Sequence, residues 1–214
     1  MLPLIVVLVL GVFAQQTFAD EPEAIVGGTP AAPGEFPHQC SVRVPDGHIC
    51  GCSIVTPTCI VTAAHCLVDV APPPYNSLKV VTGILESSGG VERPVKYGIV
   101  HPNYMGTEEH SWANDVAVLK LKEPIQFNEL QSSIKLATRK PSVGTQCIMS
   151  GWGQTSSVSF VPVAPYLLKA YTKIVDNDRC KKAHGNIALY NVHLCAYARR
   201  GIGACSVNII LINK

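Results

Sequence analysis

The most constraining feature of this sequence is a pair of short runs with alternating polarity, joined by a turn. Residues 37–44 (Pro-His-Gln-Cys-Ser-Val-Arg-Val) carry apolar side chains at alternate positions, and residues 48–55 repeat that period. Pro45-Asp46-Gly47 lies between them, and each of these residue types favours a turn. The two runs therefore predict a β-hairpin.

The hairpin also predicts a disulfide. With the turn centred on Asp46, the register places Cys40 opposite Cys52 and Val42 opposite Cys50 on one face. Cysteines that lie directly opposite each other are close enough to be bridged, so we predict the pair Cys40–Cys52.

The remainder of the chain has the same β character. Its apolar runs are short and β-branched, and they are separated by many of the 16 prolines and 17 glycines. Residues 80–85, 95–100 and 116–121 are further candidate strands, and residues 116–119 are apolar at every position, which predicts a strand buried on both faces. With 214 residues, 47% of them hydrophobic, the chain can form one large domain or two small barrels.

A second group of strands begins near Gln146 and continues from residue 167 to residue 175. Asp176 is a suitable N-cap for a short helix over Asn177–Ala183, because its carboxylate can accept a hydrogen bond from a free backbone N–H group.

The first 24 residues predict export from the cell. Residues 2–14 are almost wholly apolar but too short to span a bilayer, and Thr17-Phe18-Ala19 offers a small-residue cleavage site. We therefore predict a signal peptide over residues 1–19, a short propeptide over residues 20–24 and a secreted, extracellular domain over residues 25–214. The formal charge of +2 and the scattered basic residues argue against nucleic acid as a partner, and no later stretch predicts a membrane segment.

Nine cysteines fit an oxidising compartment, and their odd number leaves at least one thiol free or bonded to another chain. A zinc site could be imagined at Cys50, Cys52, Cys59 and Cys66 with His65. The spacings lack the paired pattern of structural zinc modules, so we expect neither a metal nor another cofactor.

His65 and Asp115 are the candidate catalytic residues. His65 follows the β-branched run Ile60-Val61-Thr62 and two alanines, and Cys66 comes directly after it. Asp115 precedes a predicted strand, where an acid can also simply cap a turn. Either residue alone is a weak signal.

Several motifs together are specific, and the chain resembles the chymotrypsin-like (trypsin-fold) serine proteases from residue 25 to residue 205. The matching motifs follow the family's order and spacing: Ile25-Val-Gly-Gly28, Cys50 with Ser53, Thr62-Ala-Ala-His-Cys66, Asn114-Asp-Val-Ala117, Cys147 with Gly151-Trp-Gly153, and Gly201-Ile-Gly-Ala-Cys205. The resemblance implies an all-β fold of two antiparallel six-stranded barrels, with the first over residues 25–130 and part of the second over residues 131–205.

The resemblance also implies roles for individual residues. His65 would be the general base and Asp115 the acid that orients it. Ile25 would be the new N-terminus after activation. The family's disulfides would correspond to Cys50–Cys66 and Cys180–Cys195, and no single pairing is implied for Cys59.

One family segment is absent from these 214 residues. After the cysteine that matches Cys205, the family continues with one further residue and then Gly-Asp-Ser-Gly-Gly-Pro, which supplies the nucleophilic serine and the oxyanion hole. Here Ser206 and residues 207–214 follow instead, a tail without family character. We therefore predict a truncated, inactive chain with an incomplete second barrel, in which Cys147 and Cys205 lack their family partners.

Two further departures bear on specificity and activation. Ala24 precedes Ile25 where trypsin-activated zymogens carry Arg or Lys. Gly203 matches the pocket-floor position that holds an aspartate in trypsins, so an uncharged floor indicates a chymotrypsin- or elastase-like preference. Proteins or peptides, as substrates or inhibitors, are the partners that the family implies.

Three hypotheses about function remain open. The chain can be a product of an aberrant transcript, a catalytically dead homologue that acts as a secreted binding or decoy module, or part of a longer, active serine endopeptidase.

Overall fold

The structure is a computed structural model, and it describes residues 25–153, 164–183, 187–199, 202–204 and 210–213. The predicted signal peptide and propeptide lie outside the described residues. The described part is mainly β-structure. Its strands are β1 Ile25–Val26, β2 Thr29–Pro30, β3 Gln39–Val44, β4 Gly47–Thr56, β5 Cys59–Thr62, β6 Lys79–Thr82, β7 Glu92–Val100, β8 Ala117–Leu121, β9 Gln146–Gly151, β10 Leu168–Val175, β11 Cys195–Tyr197, β12 Gly203–Ala204 and β13 Ile210–Asn213. Its helices are α1 His65–Val68, α2 Asn177–Ala183 and a 3₁₀ turn at Glu108–His110.

Six strands close into an antiparallel barrel in the order β3-β4-β5-β8-β7-β6, with β6 pairing back onto β3. Strands β3 and β4 have the predicted register at Cys40, which lies opposite Cys52, and at Val42, which lies opposite Cys50. Between Val42 and Arg43 the register shifts by one residue, so Val44 lies opposite Gly47 and not opposite His48 as the turn centred on Asp46 predicted. The inward-facing side chains fill the barrel and form its core, and Val42, Ile54, Ile60 and Leu119 are fully buried. The predicted all-β fold of the chymotrypsin type is confirmed.

Strand β8 is not buried on both faces, so that prediction was wrong. Ala117, Leu119 and Leu121 are buried, whereas Val116 and Val118 are 37% and 38% exposed. A strand in the wall of a barrel has one inward and one outward face, and Val118 lies on the outward face, where it stays partly exposed. Apolar residues at every position of this run therefore do not mean that both faces of the strand are buried.

The strands outside the barrel form a second, open group among the described residues. Strands β11, β10, β9 and β13 lie side by side, β2 pairs with one end of β10, and β1 pairs with β12. Although β1 and β2 precede the barrel in sequence, they pair with strands of the second half. The division into residues 25–130 and 131–205 stays a prediction.

The tail after residue 205 contributes a strand to this second group. Strand β13 pairs antiparallel with β9, with Ile210 opposite Ser150 and Asn213 opposite Cys147. The sequence did not predict this pairing, because the tail has no family motif from which to place it.

The short helix after β10 has the predicted bounds. The backbone N–H of Asp178 donates to Oδ1 of Asp176 at 2.7 Å, which is the expected N-cap contact. The disulfide Cys180–Cys195 then joins α2 to the start of β11.

Polar contacts join the two halves of the structure, which are the closed barrel and the second group of strands. The Ser150 hydroxyl on β9 donates to the Gln39 side-chain oxygen on β3 at 2.9 Å, and both residues are buried. Trp152, which is fully buried, donates its Nε1–H to the carbonyl of Leu85 at 2.7 Å. The described residues contain no helix that is long and apolar enough to cross a membrane.

Candidate active site

Strand pairing brings His65 and Asp115 together. Thr62 at the end of β5 lies opposite Ala117 at the start of β8. His65 begins α1 three residues after Thr62, and Asp115 lies two residues before Ala117. Because the strands are antiparallel, both side chains reach the same edge of the barrel although 50 residues separate them.

The Asp115 carboxylate makes two hydrogen bonds to His65. Its Oδ2 lies 2.7 Å from the ring Nδ1, and its Oδ1 accepts the His65 backbone N–H at 3.0 Å. The side chains are 39% and 24% exposed. Two bonds to one carboxylate fix the ring orientation and favour the tautomer with the proton on Nδ1, which leaves Nε2 free to accept a proton.

The pKa of His65 lies above its ordinary value. The main cause is the hydrogen bond that the ring donates to the Asp115 carboxylate; partial burial opposes the rise, and the negative charges of Asp115 and Asp69 add to it. The ring is therefore a better base than an isolated imidazole.

The pKa of Asp115 lies below its ordinary value. Partial burial by itself would raise the pKa of this carboxyl group. The hydrogen bonds from the ring and backbone of His65, its charge, and a backbone hydrogen bond from Ala64 together outweigh that effect. Asp115 is therefore ionised at neutral pH and can stabilise a protonated His65.

The residues that directly precede Asp115 form an irregular loop. Ser111, Trp112 and Asn114 all have positive φ, at 47°, 49° and 59°. Asn114 tolerates this conformation well, and its side-chain amide donates to the carbonyl of Asn103 at 2.9 Å. Trp112 is a bulky residue in the left-handed region and is 46% exposed. Such strain is found where a loop presents functional groups.

A disulfide next to His65 fixes the backbone at the start of α1. Cys66, next to His65, is bonded to Cys50 on β4. One ligand atom of each of Cys50, His65 and Cys66 lies within 4.8 Å of the others, a grouping that could suggest a metal site. Because the two sulfurs are bonded to each other, they are not available as thiolate ligands.

The described residues contain no hydrogen bond between a serine hydroxyl and the ring of His65. Ser206 and Cys205 lie outside the described residues. His65 and Asp115 can take up and return a proton, but among the described residues no serine hydroxyl is hydrogen-bonded to the ring as a nucleophile would be.

Ile25 and Gly203 lie together in the second half. Ile25 is 1% exposed, and Ile25 and Val26 pair with Ala204 and Gly203. Ile25 also packs in an apolar cluster with Met149, Leu168 and Ala170. The roles of Ile25 as a new N-terminus and of Gly203 as a pocket floor stay predictions.

Six of the cysteines that the structure describes form the disulfides Cys40–Cys52, Cys50–Cys66 and Cys180–Cys195. Cys59 and Cys147 are free thiols, the first half-buried and the second 3% exposed. Burial raises the pKa of the Cys147 thiol, so this thiol is less reactive than an exposed cysteine. Cys59 is thus the more accessible of the two.

Sequence analysis missed Asp69 and Tyr104 as neighbours of the site. The charge of Asp69 helps to raise the pKa of His65, and burial together with the charges of Asp115 and Asp69 raises the pKa of Tyr104. Asp69 comes four residues after His65, a spacing of one helical turn, which is the signal that could have identified it.

Comparison with known proteins agrees with the geometry. Residues 25–208 match the trypsin family. The fibrinolytic enzyme isozyme C of Lumbricus rubellus is 31% identical over an alignment of 194 residues, and the match covers 85% of this chain and 78% of that protein. Trypsin beta of Drosophila erecta is 37% identical over an alignment of 185 residues, and the match covers 85% of this chain and 70% of that protein. Transmembrane protease serine 11C of Mus musculus is 30% identical over 89% of this chain, which matches 44% of the mouse protein.

The fold has a solved counterpart. Neuropsin, a serine protease of mouse brain, superimposes with a TM-score of 0.72 over 87% of this chain and 82% of its own. At 23% identity this likeness shows the fold alone. The family match covers most of the chain, and its relatives share 30% identity or more over 85% to 89% of it. The chain therefore belongs to the trypsin family.

Proposed function

We propose that this chain is a secreted domain of the serine endopeptidase type, chymotrypsin- or elastase-like, that holds the proton-transfer half of a catalytic triad. The observation that carries the proposal is the pair of hydrogen bonds that His65 donates to the Asp115 carboxylate, at 2.7 Å from the ring Nδ1 and 3.0 Å from the backbone N–H. Proteases of the trypsin type act on protein or peptide substrates, and this chemistry requires no cofactor.

The dyad would work by general base catalysis. His65 Nε2 would take the proton of an attacking hydroxyl, and Asp115 would stabilise the imidazolium that forms. The same proton would then pass to the departing amine. Both steps need a hydroxyl nucleophile and donors for the developing oxyanion, which the family places in its Gly-Asp-Ser-Gly segment.

We further propose that a polypeptide of these 214 residues does not hydrolyse peptides. The sequence contains no Gly-Asp-Ser-Gly segment and no Gly-x-Ser-x-Gly segment. Loss of the nucleophile together with the oxyanion donors removes the two largest contributions to acyl transfer, so a correctly oriented His65 would be insufficient.

A labelling experiment tests this proposal. The chain is expressed with an N-terminus at Ile25 and exposed to a fluorophosphonate probe and to peptides with apolar or basic residues before the cleaved bond. We expect neither labelling nor cleavage. An active protease of the family, treated in parallel, shows that the reagents work.

The variant His65→Ala is the matched control. Labelling of the parent chain that disappears in His65→Ala would mean that His65 activates a serine elsewhere, and the proposal of inactivity would be wrong. Labelling that persists in the variant would indicate a contaminating protease.

A non-catalytic binding or decoy module is the second candidate function. It is supported by one observation, namely that a closed barrel and three disulfides are present although these 214 residues contain no Gly-Asp-Ser-Gly segment. Binding of a protease inhibitor by the 214-residue chain, measured by calorimetry, would support this function, and the absence of binding to any such inhibitor would argue against it.

Secretion and processing complete the proposal. Residues 1–19 would act as a signal peptide, and removal of residues 20–24 would expose Ile25. The three disulfides support an oxidising compartment. N-terminal sequencing of the protein from culture medium tests both cleavages, and retention of residues 20–24 would contradict the second. Cys59, as the accessible free thiol, is the proposed site of any intermolecular disulfide.

A further inference from the structure

Strand β9 is almost wholly buried and has partners on both edges. Five of its six residues, Cys147 to Gly151, are buried. On one edge it pairs with β10 over six residue positions. On the other edge it pairs with β13 over four positions.

A buried strand requires a partner on each edge. Its N–H and C=O groups point sideways, and burial removes the water that would otherwise satisfy them. Strand β10 supplies the partners on one edge of β9, and residues 210–213 supply them on the other. Strand β13 also lies against β4 of the barrel. The tail thus covers a sheet edge next to the contact between the two halves.

The tail has a composition suited to this position. Ile210-Leu211-Ile212-Asn213 contains β-branched and apolar residues, with no glycine, no proline and no charge. Such a segment is poorly soluble when free and forms a strand readily when an edge is available.

We propose that the β9 edge facing β13 is a binding site for an extended apolar peptide and that residues Ile210–Asn213 occupy it within the same chain. Recognition by main-chain hydrogen bonds depends on an extended backbone more than on particular side chains. The covalent connection gives the tail a high effective concentration, so it excludes a free peptide of the same sequence.

Register provides a direct test in the complete chain. Asn213 is the register partner of Cys147, and opposed positions in an antiparallel pair lie close enough for a disulfide. The variant Asn213→Cys is made in a background of Cys59→Ser and Cys205→Ser, and it is oxidised with glutathione disulfide. We expect a bond between the new cysteine and Cys147, identified by mass spectrometry of the unreduced digest.

The variant Ile212→Cys in the same background is the register control. Residue 212 lies opposite Ile148, and successive strand positions alternate between faces. We therefore expect much less crosslinking to Cys147. Equal crosslinking by both variants, or none by Asn213→Cys, would overturn the proposal. The disulfides Cys50–Cys66 and Cys180–Cys195 in the same digest show that the chain has folded.

The oligomeric state of the crosslinked product identifies the occupant. A monomeric product supports occupation by the chain's own tail. A crosslinked dimer would overturn that part of the proposal and would mean that the tail of a second copy occupies the edge.

A peptide experiment tests whether the β9 edge is a recognition site. In the full chain, Leu211→Pro with Ile212→Pro removes two consecutive N–H donors, one of which faces β9 whichever way the strand alternates. We expect hydrogen exchange of β9 amides to accelerate about tenfold or more while the β3–β8 barrel stays protected.

A labelled peptide of residues 207–214 should then bind this proline variant and not the parent chain. The same peptide carrying both prolines is the control. Failure of the unmodified peptide to bind the proline variant, or equal binding by the control peptide, would overturn the proposal.

Discussion

The ring of His48 on β4 lies edge-on against Trp152 after β9, with 5.4 Å between the ring centroids. Its Nδ1 is hydrogen-bonded to the Ser41 hydroxyl at 2.7 Å, while its Nε2 is buried without a partner among the described residues. This contact joins the barrel to the second group of strands. A proton added at Nε2 of His48 would be buried with no acceptor among the described residues.

We predict that acid weakens the fold through His48 and His38. Burial lowers the pKa of each ring to about 4, and the charge of Arg43 adds to the effect at His48. The unfolded chain takes up these protons near the ordinary pKa of 6.5, so the free energy of unfolding should fall as pH decreases from about 6.5 to 4. Each ring contributes roughly 3 kcal/mol to this loss.

Urea denaturation at several pH values measures this dependence. The variant His48→Gln should have a shallower pH dependence than the parent chain, and the double variant His38→Gln with His48→Gln should have a shallower one still. An unchanged slope in His48→Gln would show that His48 is not one of the groups responsible.

We predict that Asp115→Asn lowers the pKa of His65. The hydrogen bond and the charge of Asp115 hold that pKa above its ordinary value, and an amide supplies no charge. NMR titration of the His65 ring measures the change. Asp69→Asn removes a charge without a hydrogen bond to the ring and should lower the pKa less. An equal effect of both variants would contradict the geometry.

We predict that Arg43→Ala releases residues 86–90. The Arg43 side chain is buried, and its guanidinium donates to the carbonyls of Ser87 at 2.8 Å and Gly89 at 2.6 Å. Loss of both bonds leaves polar groups unsatisfied and should cost about 2–4 kcal/mol of unfolding free energy. Faster hydrogen exchange at residues 86–90 is the expected readout.

Arg43→Lys separates charge from geometry. A lysine keeps the charge but cannot donate to two carbonyls with a planar fork, so we expect an intermediate loss. Full stability in Arg43→Lys would show that charge alone holds this loop.

We predict that Gly98→Ala destabilises the barrel by about 1–3 kcal/mol, because an added methyl group overfills its core. A Cβ at position 98 would lie 2.9 Å from Leu67 Cδ2 and 3.0 Å from Leu119 Cδ2 and Tyr75 Cδ2. Thermal unfolding measures the loss. Adding Leu119→Val removes one of the clashing groups, so the double variant should be more stable than the sum of the two single changes predicts.

The local patterns of the sequence determined much of this structure. The alternation on either side of Pro45-Asp46-Gly47 determined the register at Cys40 and Val42 and the Cys40–Cys52 pair, whereas nothing in the sequence indicated the register shift between Val42 and Arg43. The capping carboxylate of Asp176 likewise determined where α2 begins. Both outcomes depend on interactions between residues that are close in the chain.

Tertiary structure alone decided the features that depend on distant partners. The amino-acid sequence of β8 does not indicate that Val118 is partly exposed, because its exposure depends on which other segments pack against the outside of the barrel. Strands β1, β2 and β13 are short, and each could pair with any free edge. Their pairing with β12, β10 and β9 is decided by which edges the folded barrel and the second sheet leave open, and by the burial of backbone groups that must then be satisfied.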